Sequence, residues 1–282
     1  MIRARAARHL PPGPEGPAPA ATARRAALAA ALLLAAAPAL AYLLPPAAVL
    51  RRLAQRRENL AAPSMEVKGL LSASGEAGRA LAAAAGLPAG GLPAAGAEVS
   101  VPAVLSIKAP GRCRLELYPA GTAGTDRPYV AVGRGRMAGG GGLERLPPAV
   151  ALLKATCALL GQRPSGSDPG RVYAEELSRL GISLTDESLG RAGSRAAYVL
   201  GAAQPREQWP QVWIDKQAWQ PLRLVAPLSG GLDDVRLVDF GSVAGGDLFP
   251  HRVEVHREGA VALRFATEKV AANPKIPDAL FP

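Results

Sequence analysis

Residues 249–266 read FPHRVEVHREGAVALRFA, and this stretch decides the class of fold. Val253 and Val255 alternate with polar residues, and Val261, Leu263 and Phe265 share one face after the turn at 257–260. Such alternation at a period of two is typical of a strand with one buried face and one solvated face. The stretch therefore predicts an antiparallel β-hairpin.

Working outward from this hairpin, further short strands are predicted on both sides. They cover residues 65–71, 99–107, 113–118, 129–134, 195–201, 211–215, 222–227 and 234–240. Strands joined by short turns form an antiparallel meander. Helical spacing of apolar residues predicts helices over 147–161 and 170–180. The Ala-, Gly- and Pro-rich tract 72–97 predicts a low-complexity loop, in which only 79–85 has helical character.

An amphipathic helix is predicted over 46–61. Its apolar residues are Val49, Leu50, Leu53 and Leu60, and its arginines are assigned to other sides of the helix: Arg51, Arg52, Arg56 and Arg57. This pattern predicts a helix that packs on the protein. Contact with anionic lipid is the alternative.

The amino-terminal region has the layout of an export signal. Arg24 and Arg25 precede an uncharged run rich in Ala and Leu, which ends at the small-residue site Ala39-Leu40-Ala41. Residues 1–41 are therefore predicted to be a signal peptide, with a mature domain over 42–282. The alternative is an uncleaved inner-membrane anchor through residues 26–50, since 25 uncharged residues separate Arg25 from Arg51. Both alternatives predict a periplasmic protein.

Residues that carry chemistry are scarce. The three histidines are His9, in the leader, and His251 and His256, which face opposite sides of a strand. No nucleophile elbow, C-x-x-C or H-E-x-x-H motif occurs. We therefore predict no enzyme activity, metal or cofactor. The net charge of +10 lies partly in the leader, so we also predict no binding of nucleic acid.

The two cysteines of the chain, Cys113 and Cys157, both lie in the predicted mature domain, which the export signal would place in an oxidising compartment. They either form a disulfide or pack as two small buried hydrophobic residues. We take the disulfide as the prediction.

Three motifs resemble the outer-membrane lipoprotein-sorting superfamily, the LolA, LolB and RseB-like proteins. The first is IKAPGRCRLE over 107–116, which is similar to a Lys-Arg-Pro turn between two strands. The second runs from VWIDK at 212–216 through WQP at 219–221 to LRL at 222–224. The third combines Phe249-Pro250 with NPKIPDALF over 273–281. The resemblance covers about residues 49–281.

The resemblance implies an α+β fold: a curved antiparallel sheet, or half-barrel, covered by helices. It implies a periplasmic carrier or chaperone that binds acyl chains of lipoproteins or lipids, working with partner proteins in the inner or outer membrane. The alternative is an RseB-like sensory or regulatory module that binds lipids or lipoproteins. The apolar strand faces supply the candidate cavity lining: Val212, Ile214, Leu222, Leu224, Val253, Val255, Leu263 and Phe265.

One position departs from the family pattern. In LolA-type carriers the arginine of Lys-Arg-Pro donates hydrogen bonds to the backbone of the lid. The residue at that place here is Ala109, and Lys108 beside it is expected to point to the other face. The sequence thus predicts that an arginine latch from this turn is absent.

Overall fold

The computed structural model describes residues 43–87, 97–118, 131–132, 137–138, 146–164, 166–205 and 208–281. The predicted signal peptide and most of the alternative anchor lie outside these residues. Within them the chain forms four α-helices, α1 Pro46–Asn59, α2 Gly75–Ala84, α3 Pro147–Leu160 and α4 Arg171–Arg179, and a 3₁₀ turn at Asp278–Leu280. No helix in this part of the chain has the length and apolar character needed to cross a membrane.

Twelve strands occur in the same described residues. They are β1 Ser64–Ala73, β2 Val99–Lys108, β3 Arg112–Leu117, β4 Ala131–Val132, β5 Met137–Ala138, β6 Glu187–Ala192, β7 Arg195–Leu200, β8 Gln211–Asp215, β9 Pro221–Pro227, β10 Leu232–Val238, β11 Arg252–Arg257 and β12 Ala260–Ala272. Strands β4 and β5 pair only with each other. The other ten form one sheet.

The large sheet is open and antiparallel, in the order β3-β2-β1-β12-β11-β10-β9-β8-β7-β6. Pairing of β1 with β12 joins the first strands of the chain to the last. The hairpin predicted over 249–266 is present as β11 and β12, with Val253 opposite Phe265 and Val255 opposite Leu263. The α+β class with a curved antiparallel sheet is thus confirmed.

The prediction of a loop over 72–97 was wrong for its first part. Strand β1 continues to Ala73, and the ten residues Gly75–Ala84 form α2. Alanine has the highest helix propensity, and Gly78 packs closely on the carbonyl of Ala73. Residues 88–96 lie outside the described part.

Strand β6 was missed by the sequence analysis. Gly190 interrupts its pattern, and glycine weakens a strand prediction. In the structure a Cβ atom on residue 190 would lie 2.6 Å from Cζ3 of Trp213, so the glycine makes room for that ring. Of the predicted strand 129–134, only Ala131–Val132 is both described and assigned to a strand.

The helices cover one face of the sheet. Helix α3 packs across β3, β10, β11 and β12, helix α2 packs on β1 and β2, and α4 contacts α1 and α3. This face forms the main hydrophobic core, which includes Leu105, Leu115, Leu152, Leu159 and Tyr173.

The carboxyl-terminal segment lies on the opposite face, beside β2 and β3. Lys108 donates to the carbonyl oxygen of Ile276 at 2.7 Å, and Arg114 donates to that of Leu280 at 3.0 Å. Asp278 accepts from both Lys108 and Arg112. Lys108 therefore points away from the helices, as predicted, and holds the end of the chain.

Candidate functional site

The helix-covered face of the sheet is the candidate site. Seven of the eight candidate lining residues belong to the main hydrophobic core, and each is fully buried: Val212, Ile214, Leu224, Val253, Val255, Leu263 and Phe265. The Phe265 ring packs edge-on against Phe249, with ring centroids 6.2 Å apart. The structure therefore brings residues from β8, β9, β11 and β12 into one continuous apolar face.

Leu222, the eighth candidate, does not lie on this face. While β8 steps from Trp213 to Ile214, its partner β9 steps from Arg223 to Pro221, so Leu222 is an extra residue in the ladder. Such a β-bulge breaks the alternation of faces. Leu222 packs with Trp213 in a second cluster on the other side of the sheet, and its assignment to the cavity lining is corrected.

Helix α3 is the main cover of the apolar face. Ten of its fourteen residues are buried, including Leu152, Leu153 and Leu159. Its single charged residue, Lys154, is exposed and donates to the carbonyl oxygen of Leu228 at 2.7 Å. A helix that is apolar on almost every side offers the sheet a surface chemically similar to an acyl chain.

The attachments of α3 are concentrated at its carboxyl-terminal end. The Cys113–Cys157 disulfide joins it to β3, with the two Cα atoms 5.7 Å apart. Gly111 donates its backbone N–H to the carbonyl of Gly161 at 2.7 Å, directly after the helix. Lys154, the eighth of the fourteen residues, makes the polar attachment described above near the middle of the helix.

Arg57 adds a third attachment at the same end, and the sequence analysis had assigned it to a polar side of α1. Arg57 lies four positions after Leu53, so both lie on the buried stripe. Nη2 donates to the carbonyl of Leu160 at 2.9 Å, and Nη1 donates to that of Leu248 at 3.1 Å. A cation at the carboxyl end of α3 also interacts favourably with the helix dipole. The i, i+4 spacing was the signal that would have located this residue.

Burial shapes the electrostatics around Arg57. Burial lowers the pKa of its guanidinium, which nevertheless remains charged at neutral pH. Burial also raises the pKa of the neighbouring Tyr173 hydroxyl to about 12. The tyrosine therefore stays neutral, and backbone carbonyls supply the acceptors for the buried cation.

Ala109, the position aligned with the latch arginine of the family, lies close to Arg57. Both residues line a pocket of about 400 Å³ together with Pro63 and Gln162. The backbone N–H of Ala109 donates to the carbonyl of Pro63 at 2.8 Å. An arginine does donate to the backbone at the end of the covering helix, but it comes from α1 rather than from the 107–116 turn.

Titratable groups do not assemble into a metal centre in the described ranges, where no group of three His, Cys, Asp or Glu residues is suitably placed. His251 is exposed. Nε2 of His256 lies 3.2 Å from Oε2 of Glu254 on the outer face of the sheet. The candidate site itself consists of seven fully buried apolar side chains.

No model of a known protein family matches the sequence, and no curated protein matches it. Solved structures are similar to it. A LolA superfamily protein from Nitrosomonas europaea has 12% identity, a TM-score of 0.39, and coverage of 85% of this chain and 98% of that one. A DUF1329 family protein from Desulfovibrio piger has 10% identity, a TM-score of 0.40 and the same coverage.

A chain of the Pseudomonas aeruginosa MucA/MucB complex is also similar. Its identity is 11% and its TM-score 0.27, with coverage of 85% of this chain and 61% of that chain. The solved structures similar to this protein thus include a member of the superfamily that its motifs resemble.

Proposed function

We propose that this protein is a periplasmic carrier or chaperone that binds the acyl chains of lipoproteins or lipids between its sheet and helix α3. The observation that carries the proposal is the continuous apolar face of seven residues, together with α3, a helix that is itself almost entirely apolar and packs across β10, β11 and β12 of the same sheet. Each methylene buried there contributes about 0.8 kcal/mol. Burial alone, without catalysis, is a sufficient source of affinity.

In the described structure this face is closed, so binding requires α3 to move. Three attachments hold the end of the helix near Cys157 and Leu160, and the hydrogen bond of Lys154 holds its middle. The amino-terminal end of α3, at Pro147, is therefore the end that opens. An acyl chain then replaces the contacts that α3 makes with the sheet, and part of its binding energy offsets the cost of opening.

A matched pair of substitutions on β12 tests the site. Leu263 is fully buried on the apolar face, and Val261 on the same strand is 38% exposed. Leu263→Glu should abolish binding of a fluorescent fatty-acyl probe, because a buried carboxylate is costly in an apolar site. Val261→Glu should bind as wild type does. Leu224→Glu, on β9, should behave like Leu263→Glu.

A second variant keeps the test informative if these charged variants unfold. Lys154→Met removes the hydrogen bond to Leu228 while leaving the apolar face intact. If opening of α3 limits binding, the probe should associate faster with this variant than with wild type. Absence of probe binding by folded wild-type protein at micromolar concentration would contradict the carrier proposal.

The second candidate function is a sensory or regulatory module of the RseB type that contacts a membrane partner. The observation in its favour is that the seven face residues are fully buried and that none of them lines the pockets around Arg57, Trp209 or Trp213. A folded wild-type protein that binds no acyl probe but binds a periplasmic domain of a membrane protein would support this function instead.

A further inference from the structure

The face of the sheet opposite the helices carries a trough that acyl-chain binding does not use. One wall is the turn between β6 and β7 with the strand residues beside it, Arg191 and Arg195, and the other is the end of β10. Trp213 and Leu222 lie on the strands between the walls and form its floor. The trough has a volume of about 420 Å³, which is within the usual range of ligand pockets.

The floor of this trough is held in place before any ligand arrives. The indole N–H of Trp213 donates to Oε1 of Gln211 at 3.1 Å. The guanidinium of Arg223 lies 5.3 Å from the centroid of the indole ring, and Gly190 leaves the space that the ring fills. Trp213 and Leu222 are each 6% exposed, so the apolar floor is recessed.

The walls carry more positive than negative charge. Asp234 accepts hydrogen bonds from both Arg223, at 2.7 and 2.9 Å, and Arg236, at 2.8 Å, so one carboxylate serves two cations. Nη1 of Arg195 is 3.7 Å from Oδ2 of Asp215. Arg191 forms no ion pair or hydrogen bond with any described residue.

On the β10 side of the trough, the described carboxylate is already paired with an arginine. Asp239 lines the trough, but its Oδ2 accepts from Arg252 at 3.1 Å. The two arginines beside the β6–β7 turn therefore have the capacity to bind an additional anionic group. Guanidinium groups bind carboxylates in a planar, bidentate arrangement.

We propose that this trough binds an acidic segment of a protein partner. A carboxylate lies on Arg191 and Arg195, and a neighbouring apolar side chain of the partner packs against Trp213 and Leu222. Residues 1–41 carry +4 of the chain's net charge of +10, so the predicted mature chain has a net charge of +6, which favours encounter with an acidic partner. A bilayer surface fits less well, because membrane contact requires apolar side chains that protrude, and these two are recessed.

The test uses isothermal titration calorimetry of the mature protein with two capped hexapeptides. One alternates Glu with Leu, and the other has Gln in place of each Glu. The Glu peptide should bind, with an affinity that falls as salt is raised. The Gln peptide should bind about tenfold more weakly or not at all, because hydrogen bonds to charged groups are the stronger ones.

Paired charge reversals locate the binding site. Arg191→Glu combined with Arg195→Glu should weaken binding of the Glu peptide about tenfold or more. The control combines Arg51→Glu with Arg52→Glu, two exposed positions on α1 that produce the same change in net charge. The control should retain nearly wild-type affinity, and thermal melts should show that both double variants remain folded.

Three results would overturn the proposal: equal binding of the Glu and Gln peptides, equal weakening by the two double variants, or no peptide binding at millimolar concentration. Sedimentation with phosphatidylglycerol vesicles is the comparison arm. Vesicle binding that the Arg191 and Arg195 reversals abolish, without peptide binding, would assign the trough to anionic lipid instead. The trough and α3 lie on opposite faces of the sheet. Failure of peptide binding at the trough would therefore leave the acyl-chain proposal unaffected.

Discussion

Gly69 shows how one residue limits the packing of the candidate site. A Cβ atom there would overlap the carbonyl oxygen of Ala266 and lie 2.9 Å from Cζ of Phe265. The pairing of β1 with β12 also shifts register after Lys68. We expect Gly69→Ala to lower the free energy of unfolding by about 1 to 3 kcal/mol, because both the bulge and the ring must move.

Denaturant unfolding of the wild-type protein and of Gly69→Ala measures this difference in the free energy of unfolding. Gly231→Ala is the control, since a Cβ atom at residue 231 meets no atom within 4 Å. It should change the free energy of unfolding by less than about 0.5 kcal/mol. Equal effects of the two substitutions would show that close packing at Gly69 does not matter.

Arg57 is the residue whose polar contacts most directly connect α1 with α3. Arg57→Met should destabilise the protein by about 2 kcal/mol or more, because the buried carbonyl of Leu160 loses its donor. Arg56→Met is a matched control on the same helix. Arg56 pairs with the half-exposed Asp247, and such surface pairs contribute at most about 1 kcal/mol. Thermal unfolding compares the stability of the two variants. A larger loss of stability in Arg56→Met than in Arg57→Met would contradict this prediction.

At the scale of elements, the Cys113–Cys157 disulfide joins an edge strand to the covering helix. It closes a loop with a sequence separation of 44 residues. Chain-entropy arguments give about 4 kcal/mol for a loop of this size. The double variant Cys113→Ala with Cys157→Ala should therefore unfold at a clearly lower denaturant concentration than wild type.

Reductant provides the control for this prediction. Dithiothreitol should lower the stability of the wild-type protein once the buried bond is reduced, and should leave the double variant unchanged. Two free thiols in the native, unreduced protein would contradict the disulfide.

At the scale of the whole molecule, the predicted export signal decides what the mature chain would contain. The Arg24-Arg25 pair and the Ala39-Leu40-Ala41 site predict a mature amino terminus at Tyr42. Amino-terminal sequencing of the exported protein measures this directly. Ala39→Arg should block cleavage, since the site requires small residues. Recovery of the wild-type chain in the membrane fraction with residues 26–50 intact would support the uncleaved anchor.

Much of the architecture could be predicted because alternation of apolar and polar residues is a local property. The faces of β11 and β12 follow directly from Val253, Val255, Leu263 and Phe265, and the helices α3 and α4 from apolar residues at helical spacing. Alternation fails where the ladder has an extra residue. Leu222 was assigned to the wrong face for this reason.

The sequence by itself determined the antiparallel hairpin of β11 and β12, the helices α3 and α4 and the scarcity of catalytic groups, since each depends on neighbouring residues or on composition. Tertiary structure alone decided that Arg57 meets Leu160, 103 residues away, and that Arg191 and Trp213 share one trough. Such contacts depend on the pairing of β1 with β12, the bulges and the path of α3. These are set by packing between segments far apart in the chain, which no local pattern encodes.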